Sequence, residues 1–122
     1  MNTIYQPYKM RILEVKDETQ DVKTFKLAFD DPTIGDKFAF KAGQFGEFSV
    51  FGEGEATFCI ASSPTRRGYI ECSVKSIGKV TEELHKMCVG DIIGFRGPYG
   101  NFFPIEKMEK RDLIFIGGGI GL

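Results

Sequence analysis

Apolar and polar residues alternate along much of the chain, in short stretches that end at glycine, proline or acidic residues. Such alternation is typical of strands that bury one face. Strands are predicted over residues 8–15, 22–29, 44–51, 55–61, 69–76 and 92–97, and a loop over 34–43. The 15 glycines and 16 Phe and Tyr residues suit strands joined by tight turns. The pattern therefore predicts an all-β fold.

One segment has the period of a helix. Between residues 80 and 90, apolar side chains at Val80, Leu84, Met87 and Cys88 form a stripe on one helical face. Gly90 is the expected stop. The sequence therefore predicts one short helix between the fifth and sixth strands.

The pattern changes at Arg111. Residues 113–116, Leu-Ile-Phe-Ile, form an unbroken apolar run that meets a glycine cluster, which is typical of a buried parallel strand entering a phosphate loop. A parallel strand needs a crossover of a dozen or more residues to reach its neighbour, and none follows. We therefore expect a complete unit over residues 1–110 and the truncated beginning of a second over 111–122.

Composition narrows the possible functions. At 122 residues and 42% hydrophobic content, the chain is long enough for one domain with a core. Sixteen basic residues against 17 acidic ones do not favour nucleic acid or an anionic membrane surface. No apolar stretch approaches a membrane span, and the N-terminus lacks the features of a secretion signal.

The cysteines and the single histidine do not suggest a reactive centre. Cys59, Cys72 and Cys88 are odd in number and widely separated, which argues against a disulfide framework, a metal site or an iron–sulfur site. Reduced thiols fit a cytoplasmic protein best. His85 has no ligand or catalytic partner at a suitable spacing, so a helix-end or solvent role is expected.

Four segments follow one another along the chain: KAGQFGEFSV, ATFCIASSP, SIGKVTEELH and GDIIGFRGPYGNFF. Alone, each is also compatible with an ordinary strand, capped helix or hairpin. Taken in order, they resemble the flavin-binding barrel of the ferredoxin–NADP reductase superfamily, and GGGIG resembles the first phosphate loop of its nucleotide domain. The resemblance implies a six-stranded antiparallel Greek-key barrel with one short α-helix, plus a stub of an α/β nucleotide-binding domain.

The resemblance also implies an FAD site across one side of the barrel. Phe58 would lie against the isoalloxazine, backbone groups after it would bond the ring edge, and the glycine turn before the helix would hold the diphosphate. The implied FAD-binding residues are Phe58, Cys59, Ile60, Ala61, Ser62, Val74, Lys75, Gly78, Lys79, Val80 and Thr81. The implied nucleotide loop contains Gly117, Gly118, Gly119 and Gly121, and it is expected to be too incomplete to bind NAD(P)H.

Two positions depart from the superfamily's Arg-x-Tyr-Ser flavin motif. Ala56 occupies the arginine position, which removes a bidentate phosphate contact, and Phe58-Cys59 replaces Tyr-Ser. The gamma subunits of cytoplasmic nickel–iron hydrogenases and sulfhydrogenases show a similar departure and are the closer resemblance. Gly78, Lys79 and Thr81 would replace the lost clamp, with Arg66, Arg67 or Lys75 as lesser alternatives.

The resemblance implies that the parent protein is an oxidoreductase. NAD(P)H would reduce FAD, and electrons would pass singly to an iron–sulfur partner in a hydrogenase, sulfhydrogenase, sulfite reductase or dihydroorotate dehydrogenase-like complex. NADH and NADPH, and FAD and FMN, are all compatible with these residues. The alternative is a flavin-less barrel that acts as a docking module. The apolar run at 113–116 would favour self-association or a disordered tail.

Overall fold

A six-stranded antiparallel sheet is the main element of the computed structural model, which describes residues 4–121. The strands are β1 Tyr8–Asp17, β2 Val22–Phe29, β3 Phe45–Val50, β4 Gly54–Cys59, β5 Ile70–Lys75 and β6 Ile92–Tyr99. Their order in the sheet is β4-β3-β6-β1-β2-β5. All six predicted strands are therefore confirmed, with ends that differ by a few residues.

The two end strands of the sheet are brought together by the chain that follows β4. The amide of Ala61 donates to the carbonyl of Glu71 on β5 at 2.8 Å. The amide of Glu71 donates in return to Oγ of Ser62 at 3.0 Å. The sheet is thereby closed into the predicted Greek-key barrel.

Side chains from alternate strand positions fill the barrel. On β3, Gly46, Phe48 and Val50 are buried while the residues between them are partly exposed. Aromatic rings make up much of this core, and the rings of Phe48 and Phe95 pack with their centroids 5.1 Å apart. The fully buried side chains include Met10, Ile12, Phe25, Leu27, Cys72, Val74, Ile93 and Phe95.

A β-bulge interrupts the pairing of β3 with β6. Phe45 lies opposite Tyr99 and Glu47 opposite Arg96, so two residues of β6 face one residue of β3. That one residue, Gly46, has no room for a side chain, because an added Cβ would collide with the ring of Phe95. Gly46, in the KAGQFGEFSV segment, therefore has a packing role.

The helices differ from the sequence prediction in number and length. Only α2, Lys79–His85, lies in the predicted segment, and it ends five residues before Gly90. Two helices were not predicted, α1 at Pro32–Lys37 and α3 at Ile105–Met108. In residues 4–121 no helix has the length and apolar character needed to cross a membrane.

The start of α1 explains why the predicted loop is partly helical. Asp31 caps the helix, since its carboxylate accepts from the amide of Thr33 at 2.9 Å, and Pro32 occupies the first helical position. These are standard start signals. The helix buries none of its residues, which is why the periodicity does not show it.

The C-terminal apolar segment does not form a strand in this structure. Residues 113–116 have no strand partner within the described range, and Ile114 and Ile116 are 90% and 93% exposed. Gly119–Gly121 forms one turn of 3-10 helix. The assignment of residues 111–122 to a second domain stays a prediction.

The packing around Gly46 leads to the first testable prediction. We expect Gly46→Ala to lower the free energy of unfolding by about 1–3 kcal/mol, because the added methyl group overpacks the core at Phe95. Urea unfolding followed by circular dichroism measures the change. Gly118→Ala is the control, since a Cβ there meets nothing within 4 Å. Equal stability of the two variants would contradict the packing role.

Candidate functional site

The candidate site begins at the uncovered edge of β4. This strand pairs with β3 on one side, and within residues 4–121 no strand pairs with its other edge. The chain reaches β5 only after Cys59, at Ala61. Backbone groups of β4 are therefore available along one edge, where they can hydrogen-bond a ligand.

Phe58 lies on the inward face of β4. It is opposite Gly46, and its ring packs against the core ring of Phe48 with centroids 5.6 Å apart. Phe58 is half-buried, so the core supports the ring while part of its surface stays accessible. Ala56 has the same orientation, two residues earlier on the strand. A supported aromatic surface of this kind suits a flat heterocycle.

Gln44 holds the end of β4 in place. Its backbone carbonyl accepts from the amide of Ile60 at 3.1 Å. Its side chain accepts from the amide of Lys41 at 2.8 Å and donates to the carbonyl of Gly100 at 3.2 Å. Gln44 thus connects the candidate binding strand to the loop after β6.

The turn that enters α2 lies beside the start of β4. An added Cβ on Gly54 would lie 3.0 Å from a methyl group of Val80, and Gly54 has a φ of +144° that favours glycine. The ammonium of Lys79 is 3.7 Å from the carboxylate of Glu53. The two segments chosen from the sequence, around Phe58 and around Thr81, therefore flank the same side of the barrel.

Gly78 precedes α2 at a position that the fold leaves open. Its φ of −164° is ordinary extended backbone, and an added Cβ would meet nothing within 4 Å. Neither conformation nor packing requires a glycine there. The open space lets a bulky anion approach the backbone of the turn.

The hydroxyl of Thr81 is already used inside the protein. It accepts from the amides of Ile77 and Gly78, both at 2.9 Å, and donates to the carbonyl of Gly78 at 2.9 Å. Thr81 is buried. In this geometry it shapes the turn and leaves its hydroxyl proton unavailable to a phosphate.

Several other predicted site residues also serve the barrel itself. The side chain of Val74 is fully buried, and its carbonyl is 2.7 Å from Nε2 of His85. The amides of Ile60 and Ala61 are bonded to other strands, and Ser62 accepts from Glu71. Any ligand contacts at these positions must therefore use their remaining backbone groups.

The alternative phosphate partners are engaged elsewhere. Lys75 is paired with Asp21 at 3.8 Å. Arg67 donates to the carbonyl of Asp36 at 3.2 Å, and Arg66 and Arg67 both line a small cavity beside α1. Of the basic residues singled out in the sequence, Lys79 is the one that lies beside the start of β4.

His85 and the three cysteines lie at separate places in the fold. His85 is the last residue of α2, where it bonds to Val74 and packs against Phe25. Cys59 and Cys88 are exposed and Cys72 is buried, and all three are free thiols. Within residues 4–121 no group of His, Cys, Asp and Glu is arranged to hold a metal ion.

Two residues of the site were not identified from the sequence. Gly54 allows α2 to approach β4, and Glu53 lies next to Lys79. The glycine-rich run GEGE, residues 52–55, indicates a tight connection between β3 and β4. Nothing in that run indicated contact with a helix 25 residues further on.

These features fit a nucleotide that carries a flat ring. The free edge of β4 and the half-buried ring of Phe58 suit the heterocycle, and the open turn at Gly78 suits a diphosphate. The fold and the site together define a cofactor-binding barrel. Sequence comparison identifies its family: the chain belongs to the oxidoreductase FAD-binding domain family, whose model matches residues 9–103.

Individual relatives support this assignment. Sulfhydrogenase 2 subunit gamma of Pyrococcus furiosus is 48% identical over 118 residues, which cover 97% of this chain and 41% of the relative. A probable dihydroorotate dehydrogenase B electron transfer subunit of Methanothermobacter thermautotrophicus is 30% identical, over 100% of this chain and 42% of the relative. The chain thus spans about two fifths of the length of these relatives.

A solved structure supports the fold. The cytochrome P450 reductase GcoB of Amycolatopsis superposes with a TM-score of 0.71 at 24% identity, over 86% of this chain and 32% of that one. At this identity the similarity concerns the architecture. It agrees with the Greek-key barrel derived from the strand order.

The three thiols provide a test of the described geometry. Burial, helped by the neighbouring Glu71 carboxylate, raises the pKa of the Cys72 thiol to about 12. We expect iodoacetamide at pH 8 to alkylate Cys59 and Cys88 in the native protein and to leave Cys72 unmodified, because the thiolate is the reactive form. Mass spectrometry counts the adducts. Denatured protein, which should take three, is the control, and rapid native labelling of Cys72 would contradict its burial.

Proposed function

We propose that this chain binds FAD in the cleft between the free edge of β4 and the turn that enters α2. The observation that carries the proposal is the position of Gly78, a glycine that the fold does not require, on the same side of the barrel as Phe58. The family assignment supplies the cofactor. Both segments border one surface, as binding of a single extended nucleotide requires.

Each part of the cleft has a role in the proposal. Phe58 supports one face of the isoalloxazine, and the edge of β4 up to Cys59 hydrogen-bonds its rim. The backbone at Gly78 and the ammonium of Lys79 face the diphosphate, while Thr81 holds the turn in shape. Ile60, Ala61, Ser62 and Val74 secure the strands around the cofactor. The two remaining predicted contacts, Lys75 at the end of β5 and Val80 in α2, stay predictions.

The parent protein is proposed to be an electron-transfer flavoprotein subunit. Bound FAD supplies a centre that takes a hydride from NAD(P)H and releases electrons singly. The relatives' names, a sulfhydrogenase gamma subunit and an electron transfer subunit, support an iron–sulfur partner in a complex of the hydrogenase or dihydroorotate dehydrogenase type. The free thiols favour a cytoplasmic location. In this scheme, the barrel binds and orients the flavin.

The proposal is tested by titrating the chain with FAD. We expect saturable changes in the visible spectrum of the flavin for the wild-type chain. Gly78→Val should raise the dissociation constant about tenfold or more, because the branched side chain fills the space proposed for the diphosphate. Equilibrium dialysis gives an independent value.

Gly118→Val is the matched control for this titration. A Cβ at Gly118 also meets nothing within 4 Å, and the residue lies in the C-terminal segment. If the Gly78→Val and Gly118→Val variants bind FAD with equal affinity, the turn at Gly78 does not hold the diphosphate. A fully folded wild-type chain without saturable FAD binding would instead favour the docking module.

The exposed C-terminal segment supports a further part of the proposal, self-association of this chain. Leu113, Ile114, Phe115 and Ile116 present apolar side chains to solvent. We expect the chain to form dimers or larger species at micromolar concentration, and a chain ending at Lys110 to be monomeric. Sedimentation velocity measures both. Identical monomers would contradict self-association.

A further inference from the structure

A polar network covers the outer face of the strand that carries the candidate site. The guanidinium of Arg96 on β6 binds both carboxylate oxygens of Glu55 on β4, with Nε and Nη2 at 2.9 and 2.6 Å. Oγ of Ser49 is 3.4 Å from the same carboxylate, and Thr57 donates to Glu47 at 2.6 Å. We call these five residues the outer polar network.

The Glu55–Arg96 pair spans three strands. Glu55 lies opposite Ser49 of β3, and Arg96 lies opposite Glu47 of β3, so the ion pair crosses β3 diagonally. Both side chains are partly shielded, at 34% and 21% exposure. The hydrogen bonds from Arg96 hold the pKa of the Glu55 carboxyl below its usual range. A charged, bidentate and partly shielded pair is stronger than a typical surface ion pair.

An edge strand depends on such cross-links more than a central strand does. β4 has one strand partner, β3, whereas β6 and β1 are each held on both sides. The pair connects β4 directly to β6, which lies in the interior of the sheet order. It thus fixes the edge strand to a second, better supported strand.

The network acts on the residues of the site from the opposite face. Successive side chains of a strand alternate between faces, so Glu55 and Thr57 flank Ala56 and lie on the far side from Phe58. Their contacts fix the two outward-facing positions of β4 that precede Phe58. The side chains of the network do not need to touch the cofactor to affect it.

We propose that Glu55 and Arg96 are positioning residues that hold β4, and with it Phe58, at the place required for flavin binding. This inference rests on the proposed FAD site, and it adds two residues that do not line that site. Their effect passes through the backbone of β4.

The test compares this ion pair with a matched one elsewhere. Arg11 and Asp30 also form an ion pair at 2.6 Å, between β1 and the end of β2. The variants Arg96→Gln, Glu55→Gln, their double variant and Arg96→Lys are titrated with FAD, beside Arg11→Gln as control. Urea unfolding records the stability of each variant, and the visible absorption and circular dichroism of the flavin are recorded at saturation.

We expect Arg96→Gln and Glu55→Gln each to raise the FAD dissociation constant about three- to tenfold, while the double variant is no worse than either. The spectrum of the saturated flavin should also change, since Phe58 is displaced. Arg96→Lys, which keeps the charge without the bidentate geometry, should be intermediate. Arg11→Gln should leave affinity and spectrum unchanged.

Two kinds of result would overturn the inference and can be told apart. If the wild-type chain binds FAD, but the Arg96 and Glu55 variants retain its affinity and saturated spectrum, the positioning role alone is wrong. If the variants are less stable but the spectrum of their saturated flavin is unaltered, the positioning role is also wrong, because the ion pair then affects folding only. If the folded wild-type chain itself fails to bind FAD, the proposed function fails and the inference with it.

Discussion

The hydrogen bonds that join the chain after β4 to β5 determine where a ligand can bind. Ala61 and Ser62 pair with Glu71, but the residues of β4 before them pair only with β3. The barrel is therefore closed where Ala61 and Ser62 meet β5, and it is open along the outer edge of β4. A closure beginning at Glu55 would have used the backbone groups of β4 and left no free edge. The free edge of β4 exists because the closure begins only at Ala61.

The proposed cleft lacks the family arginine, and the charges beside it come from other residues. Ala56 leaves the inward face of β4 uncharged, and Lys79 is the basic residue placed beside the strand's start. Glu53, at 3.7 Å, offsets part of that charge. Since α2 has only seven residues, its dipole is a small contribution, and in the proposed site the backbone groups of the turn at Gly78 would contact the diphosphate directly. Thr81 is important here because it fixes the shape of the turn.

The sequence predicts the strands well because burial alternates along several of them, β3 and β5 most regularly. In β3 the alternation is complete, and the helical stripe of Val80 and Leu84 likewise identified α2. α1 was not predicted because it buries no residue, although Asp31 and Pro32 are typical of a helix start. The candidate site was predicted from motif order, yet the contact of Gly54 with Val80 depends on a distance between segments that are far apart in the sequence. Periodicity carries no information about such distances.

The ion pair of Glu55 with Arg96 shows this limit most clearly, because it joins residues that are 41 positions apart in the sequence. In a regular strand, Arg96 and Tyr99 would point to opposite faces of β6, since they are three residues apart. The bulge at Gly97 and Pro98, opposite Gly46, adds one residue to β6. Arg96 and Tyr99 therefore both pair with outward-facing positions of β3. Phe95 stays in the core while Arg96 reaches across the outer surface to Glu55. The bulge therefore changes the pairing of β6 with β3 and leaves the register of β3 with β4 regular.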